Sequence, residues 1–322
     1  MLSAIPVDAV ALAADDTGIY WTTSDSQLMV LRTGHDAPER LGGDTGGGQF
    51  CGAPKPPLLA GGFVFWLGSA RSALHRTRAA GGGDEVLTRA VRGDNLAADA
   101  ANVYWTDVLG RDAQGSGAIR MLSQGARAGD APLTLATADV NEEISSLAVR
   151  DGAVYWTPFG TIGSTMYTSV LRSAPLAELV AGRDPGTVPS TLTSPFGLSA
   201  GSDAIYFAQF ANLWTTVYAR LPGGNGPAEL LATLPIEQTG RGVAIAGDNL
   251  LLSASATIGC GQQPSLKLFA APAQGGQPVL IADEMRTPAI AAPDGVVYVG
   301  GDGRLTAMSV AYAHDLRVAL AP

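Results

Sequence analysis

Val103-Tyr104-Trp105-Thr106-Asp107 is the stretch that decides the fold, because the chain writes it repeatedly. Looser copies stand at Ile19-Tyr20-Trp21-Thr22, Phe63-Val64-Phe65-Trp66, Val154-Tyr155-Trp156-Thr157, Ile205-Tyr206-Phe207-Ala208, Leu250-Leu251-Leu252-Ser253 and Val296-Val297-Tyr298-Val299. Aligned on the Tyr column, successive copies lie 45, 39, 51, 51, 45 and 47 residues apart (Tyr20, Phe65, Tyr104, Tyr155, Tyr206, Leu251, Tyr298). A period in that range marks a repeat architecture.

Each unit reads as four short strands. A small-residue strand comes first, as in Leu96-Ala97-Ala98 or Gly242-Val243-Ala244-Ile245. An Asp/Gly/Asn turn follows, as in Asp151-Gly152 or Asp248-Asn249, where Asp supplies turn hydrogen bonds and Gly supplies positive φ. Next comes the aromatic strand, then a third strand often ending in Leu-Arg, then a short outer strand such as Leu133-Thr134-Leu135, Leu179-Val180 or Val318-Ala319-Leu320. Four antiparallel strands repeated seven times predict an all-β, seven-bladed β-propeller of four-stranded antiparallel blades. The inner strands must be small because they converge on the axis. The second strand is apolar on both faces because neighbouring blades cover both. Adjacent Tyr and Trp then point to opposite faces, so each can fill one seam between blades. The expected single domain covers 1–322, with blades at 5–41, 57–87, 94–135, 143–180, 195–231, 240–281 and 287–320. Read this way, the chain starts on an inner strand and ends on an outer one. The first five residues are the segment left to add to the last blade.

A resemblance follows from these residues. The Tyr-Trp-Thr-(Asp) strand after an Asp turn resembles the YWTD propellers of the low-density lipoprotein receptor family. It resembles more closely the bacterial, myxobacterial-type YWT-repeat propeller proteins. Only Tyr104-Trp105-Thr106-Asp107 is a full copy of the motif, while Tyr20-Trp21-Thr22-Thr23 and Tyr155-Trp156-Thr157-Pro158 lose its last residue. These positions are structural in that family, so the resemblance implies a fold and carries over no functional residue. Streptogramin-lyase-type propellers are a second resemblance, but their axial histidines have no counterpart here.

Composition excludes several functions. With 46% hydrophobic and 15% charged residues the chain can bury a large core and is not a disordered polymer. A net charge of −9 without a Lys/Arg cluster gives no footprint for nucleic acid. No apolar run of about 18 residues predicts a transmembrane helix. The first residues lack the basic and apolar regions of a signal peptide, so an extracytoplasmic placement (periplasmic, secreted or surface-anchored) requires a leader already removed. Phosphate loops, nucleophile elbows and His-Glu-x-x-His are absent. His35, His75 and His314 fall away from the face proposed below and read as structural or solvated.

That face carries the links between second and third strands. The long segments at 42–56, 107–117, 158–168, 182–194, 209–215 and 254–265 fall mostly on it, and loops on a rigid scaffold are where binding residues concentrate. Phe159, Met166 and Tyr167 in unit 4 and Phe210 and Trp214 in unit 5 form an aromatic candidate, able to stack on a sugar or anchor a protein. A minor core between hairpins is the plainer reading of the same rings. A second candidate is the axial mouth, where Asp94, Asn95, Glu142, Glu143, Arg241, Glu284 and Arg286 converge. Its plainer reading is a solvated rim of internal ion pairs. No cofactor is expected beyond a calcium ion that such carboxylates can hold. Cys51 and Cys260 fall in loops of the same face and are read as free thiols or as one long-range disulfide. The functional expectation is a monomeric, non-catalytic binding or interaction module for a protein or carbohydrate. The alternative is a metal-assisted lyase or hydrolase at the axial mouth.

Overall fold

A computed structural model describes residues 5–6, 9–23, 25, 27–43, 56–68, 73–89, 91–93, 95–109, 116–140, 142–160, 170–183, 195–212, 215–223, 227–234, 239–246, 248–255, 266–285, 290–291, 296–301 and 304–309. The Tyr-Trp strands do set the architecture. Unit 1 joins β2 (Ala9–Ala14), β3 (Gly18–Thr23), β4 (Gln27–Arg32) and β5 (Glu39–Gly43). Unit 2 joins β6 (Leu58–Ala60), β7 (Phe63–Leu67), β8 (Ala73–Arg78) and β9 (Glu85–Arg89). Unit 3 joins β10 (Leu96–Ala98), β11 (Asn102–Leu109), β12 (Ser116–Ser123) and β13 (Leu133–Val140). Unit 5 joins β17 (Pro195–Ala200), β18 (Ala204–Asn212), β19 (Thr215–Pro222) and β20 (Glu229–Thr233). Unit 6 joins β21 (Thr239–Ala246), β22 (Asn249–Ser255), β23 (Leu266–Pro272) and β24 (Val279–Met285). All pairings are antiparallel, and each inner strand lies beside the inner strand of the next unit.

Two units correct the expectation. Among the described residues, six sheets, not seven, are four-stranded blades, and a seventh has three strands. Unit 4 has three strands, β14 (Glu142–Arg150), β15 (Ala153–Gly160) and β16 (Arg172–Pro175), and Leu179 and Val180 lie in a helix, α1 (Leu176–Val180), not in an outer strand. The local sequence explains the change. Pro175 has no N–H to continue a ladder and holds φ at −56° ahead of the helix. Leu-Ala-Glu-Leu-Val then favours helix, and Leu176 and Leu179, three apart, turn one face into the seam with unit 3. The last blade is closed by the N-terminus: β1 (Ile5–Pro6) pairs with β27 (Arg304–Ser309), outside β26 (Val296–Gly301) and β25 (Ile290–Ala291). The outer strand expected at Val318 to Leu320 lies outside the described residues.

The core sits in the seams, and the alternation of Tyr and Trp decides which seam each fills. Trp66 packs with Tyr20 and Val64 between units 1 and 2, and Trp105 packs with Phe65 between units 2 and 3. Trp156 packs with Tyr104 between units 3 and 4, Phe207 with Tyr155 between units 4 and 5, and Tyr206 with Leu250 and Leu252 between units 5 and 6. In units 2 to 5 the Trp-column residue faces backward and the Tyr-column residue faces forward. Arginines tie the periphery in the same sense: Arg32 donates to Ala79 O at 2.8 Å, Arg76 donates to Gln124 O, and Arg220 donates to Gln274 Oε1 at 3.3 Å, each on the following unit.

The first turns latch the Tyr column. Asp15 Oδ1 accepts from the amides of Thr17 and Gly18, and Asp99 Oδ1 from those of Ala101 and Asn102. Asp99 Oδ2 also accepts the Tyr104 hydroxyl at 2.5 Å, and Asp203 accepts that of Tyr206 at 2.9 Å. Burial opposes ionisation of Asp99, but the Tyr104 hydroxyl and the two amides outweigh it and hold the carboxyl below its usual range. A carboxylate with a depressed folded-state pKa contributes stability above its unfolded pKa of about 3.9 and loses it as pH falls through the folded value. Tyr104→Phe is therefore expected to cost about 1–2 kcal/mol near pH 7, and urea unfolding should show that difference shrinking below about pH 4. Equal costs at pH 7 and pH 3 would rule out the latch as their source.

Candidate functional site

The face expected to carry long loops carries extended hairpins. Strands of five or six residues in β3, β4, β7 and β8 give way to eight or nine in β11, β12, β14, β15, β18 and β19. Asp107, Val108 and Leu109, expected in a loop, pair with Ala118, Gly117 and Ser116. Phe159 and Phe210, likewise expected in loops, lie in β15 and β18, opposite Glu143 and Thr216 respectively. Met166, Tyr167, Trp214, Asp94, Arg286, Cys51, Cys260 and His314 lie outside the described residues.

The register joins two candidates that the sequence kept apart. β14 is the inner strand of unit 4, and it climbs with β15 until Glu142 pairs with Gly160 and Glu143 with Phe159. The mouth carboxylates and the first residue of the aromatic candidate thus belong to one hairpin. Glu143 is exposed, and Glu142 is half-buried with Oε2 accepting from the Asp139 amide at 3.4 Å. Arg241 falls at an irregularity in the pairing of β21 with β22, between Gly240 and Gly242. Glu284, expected at the axial mouth, belongs to β24, the outermost strand of its sheet.

Below the carboxylates runs a polar belt that the sequence analysis missed. Inner strands shift register near their first residues in units 1, 4, 5 and 6, at Ala9/Ala11, Ile144/Ser146, Phe196/Ser199 and Gly240/Gly242. Such bulges bend a strand and re-aim its side chains. At that level the residue after Tyr-Trp is a buried hydroxyl: Thr22, Thr106 and Thr157, with Ser253 in the matching place. Thr106 Oγ1 accepts from the Asn95 amide at 3.1 Å, Asn95 Nδ2 donates to Ser145 O at 3.2 Å, and Ser145 Oγ meets Thr157 Oγ1 at 2.9 Å. Ser146 Oγ accepts from the Leu198 amide at 2.7 Å, which carries the belt into unit 5. Asn95, expected as a ligand at the mouth, is instead a buried strut between units 3 and 4. The signal was present in the sequence, since Thr follows Tyr-Trp in three copies. Read strand by strand it looked like a strand residue only.

Asp107, the last residue of the full motif, also has a structural task. Its Oδ1 accepts from the Arg92 amide at 2.9 Å and from the Val108 amide at 2.8 Å, pinning the segment that leads into β10. Of the histidines, His35 is exposed, while His75 is buried with Nδ1 3.0 Å from Asp84 Oδ1. Among the described residues, no three His, Cys, Asp or Glu side chains are grouped to hold a metal ion. No helix of the described residues is long and apolar enough to cross a membrane. What this geometry offers is a stiff, one-sided rim: hairpins on a hydrogen-bonded belt, with carboxylates at their inner edge.

Comparison with known proteins leaves the family open. No family model matches the chain, and no curated protein does. Solved structures share the fold. The tricorn protease superimposes with a TM-score of 0.65 at 9% identity over 97% of this chain and 34% of that one. A puromycin-hydrolyzing peptidase of Mycobacterium tuberculosis gives 0.64 at 14% identity, over 96% of this chain and 52% of that one. The computationally designed Ika8 protein gives 0.53 at 12% identity, over 96% and 98%. The chain spans about a third to a half of the two natural proteins. At these identities the similarity establishes a β-propeller.

Proposed function

We propose that this propeller is a non-catalytic binding platform that engages a protein or carbohydrate through the extended-hairpin face. The observation that supports it is the β14–β15 register, which sets Phe159 opposite Glu143 at the inner edge of the longest hairpins. A hairpin already held in register needs little further ordering on binding. Within this reading the YWT-type repeat is a scaffold, the protein works outside the cytoplasm as a monomer, and any cofactor is a calcium ion at the mouth. Screening the full chain against glycan and surface-protein arrays should yield a ligand. Phe159→Ala with Phe210→Ala should then weaken it at least about tenfold, the loss of one or two anchor contacts. A ligand bound equally well by that variant would refute the reading. Calcium is checked separately: a melting temperature that rises with calcium and falls with EDTA supports a site, and an unchanged one removes it.

A second reading is that the chain is the propeller portion of a hydrolytic system. It is favoured by the peptidase titles among the structural neighbours, whose chains are about two to three times the length matched here. Under that reading the channel mouth receives peptide, and the chain acts with a separate hydrolytic unit. Peptide binding by the isolated chain, lost in Glu143→Gln, would favour this reading, and an isolated chain that binds no peptide would count against it.

A further inference from the structure

We infer that the seam between units 1 and 2 holds one internal water molecule, seated on His75 Nε2 and Trp66 Nε1. Trp66 and His75 are directly opposed across β7 and β8, so their side chains share a face of the sheet. Trp66 packs in the seam with Tyr20, Leu28, Val30 and Leu41 of unit 1, so that face looks at unit 1. The two rings stack at 5.0 Å with 22° between their planes, and both residues are at most 4% exposed. Asp84 takes up Nδ1, with its two carboxylate oxygens at 3.0 and 3.2 Å. In the neutral ring Nδ1 therefore carries the hydrogen and Nε2 is an acceptor. Neither Nε2 nor the Trp66 indole Nε1, a pure donor, has a hydrogen-bond partner among the described residues.

A third buried polar atom stands on the opposite wall. Thr22 lies two residues after Tyr20 on β3, hence on the same face toward unit 2, and its Oγ1 also lacks a partner among the described residues. Three such atoms, one donor, one acceptor and one hydroxyl that can be either, gather on the two walls of one seam. Buried polar groups are almost always satisfied, and internal water typically joins two to four of them. Asp84, the polar group that meets the histidine, is held at Nδ1 and leaves Nε2 and the indole Nε1 unserved.

The test uses the full chain with ¹⁵N-labelled tryptophan. Its five indole signals separate Trp66 from the rest, assigned through Trp66→Phe. The Trp66 indole proton is expected to show a cross-relaxation peak to water with the sign of a long-lived contact. His75→Phe should abolish that peak and leave the other indoles unchanged. Thr22→Val should preserve it, because the peak comes from water and not from the threonine hydroxyl. Absence of the peak in the unaltered protein, its survival in His75→Phe, or its loss in Thr22→Val would each overturn the inference. Should His75→Phe fail to fold, a crystal structure of the unaltered chain decides: a water about 3 Å from both nitrogens upholds the site, and its absence ends it.

Discussion

Trp105→Ala is expected to remove about 3–5 kcal/mol of unfolding free energy, the usual cost of deleting a fully buried large aromatic. Trp105 is completely buried between units 2 and 3, against Phe65, Leu74, Leu87, Val103 and Leu122. These residues lie on β7, β8 and β9 of unit 2 and on β11 and β12 of its own unit, all locked in ladders, so the walls cannot collapse into the space. Trp105→Phe should cost less than about 1.5 kcal/mol, because it keeps most of the apolar contact. Urea unfolding followed by circular dichroism distinguishes the two. Similar losses for both substitutions would show that apolar packing in this seam is not what Trp105 supplies.

Gly93→Ala should be about as damaging, for a different reason. A Cβ on Gly93 would stand 1.8 Å from Thr106 O and 2.2 Å from its carbonyl carbon. Those are backbone atoms of the aromatic strand, and the Thr106 amide donates to Asn95 O two residues further along. Relief demands that β11 or the entry to β10 move, which breaks the Asn95–Thr106 bonds and with them the belt into unit 4. We expect a loss of about 3 kcal/mol or more, at or beyond the top of the range for overpacking. Gly125→Ala is the control: its nearest neighbour would be Ser123 Oγ at 3.8 Å, so stability should stay within about 0.5 kcal/mol. If both substitutions behave alike, the close approach at Gly93 is not what holds this corner.

Much of the scaffold was legible because seam filling is a local property. A Tyr-Trp pair on a strand must point to opposite faces, and only an element covered on both sides tolerates two such rings. Tyr104 and Trp105 do face units 4 and 2, as the alternation requires. The turn residues were legible for a similar reason, since Asp99 acts on amides two and three residues away. Unit 4 was less legible. Leu179-Val180 is as apolar as any outer strand, and its helical state follows from Pro175 and from a seam with unit 3 that takes Leu176 and Leu179 together.

The candidate site was legible only as a location. The long segments marked the face on which the hairpins extend, but the sequence placed Phe159 in a loop and Glu143 at the channel mouth as separate features. Their pairing depends on how far β14 and β15 remain in register. That in turn depends on a bulge at Ile144/Ser146 and on Thr157 meeting Ser145. His75 shows the same limit, since a histidine on a third strand gives no hint that Asp84 and Trp66 will enclose it.

Taken by itself, the sequence determined the strand period, the two-sided burial of each aromatic strand and the turn chemistry. All of these act within a few residues and repeat with the unit. Only the tertiary structure decided that six sheets carry four strands and one carries three, and that Ile5–Pro6 closes the last blade. It also decided that the mouth and the rim share a hairpin. The closure turns on Ile5 meeting Leu305 at the far end of the chain, and the helix of unit 4 on a seam with unit 3. Such contacts exist only once the ring of inner strands has brought the units together. The shared hairpin turns on a bulge that no local residue pattern announces.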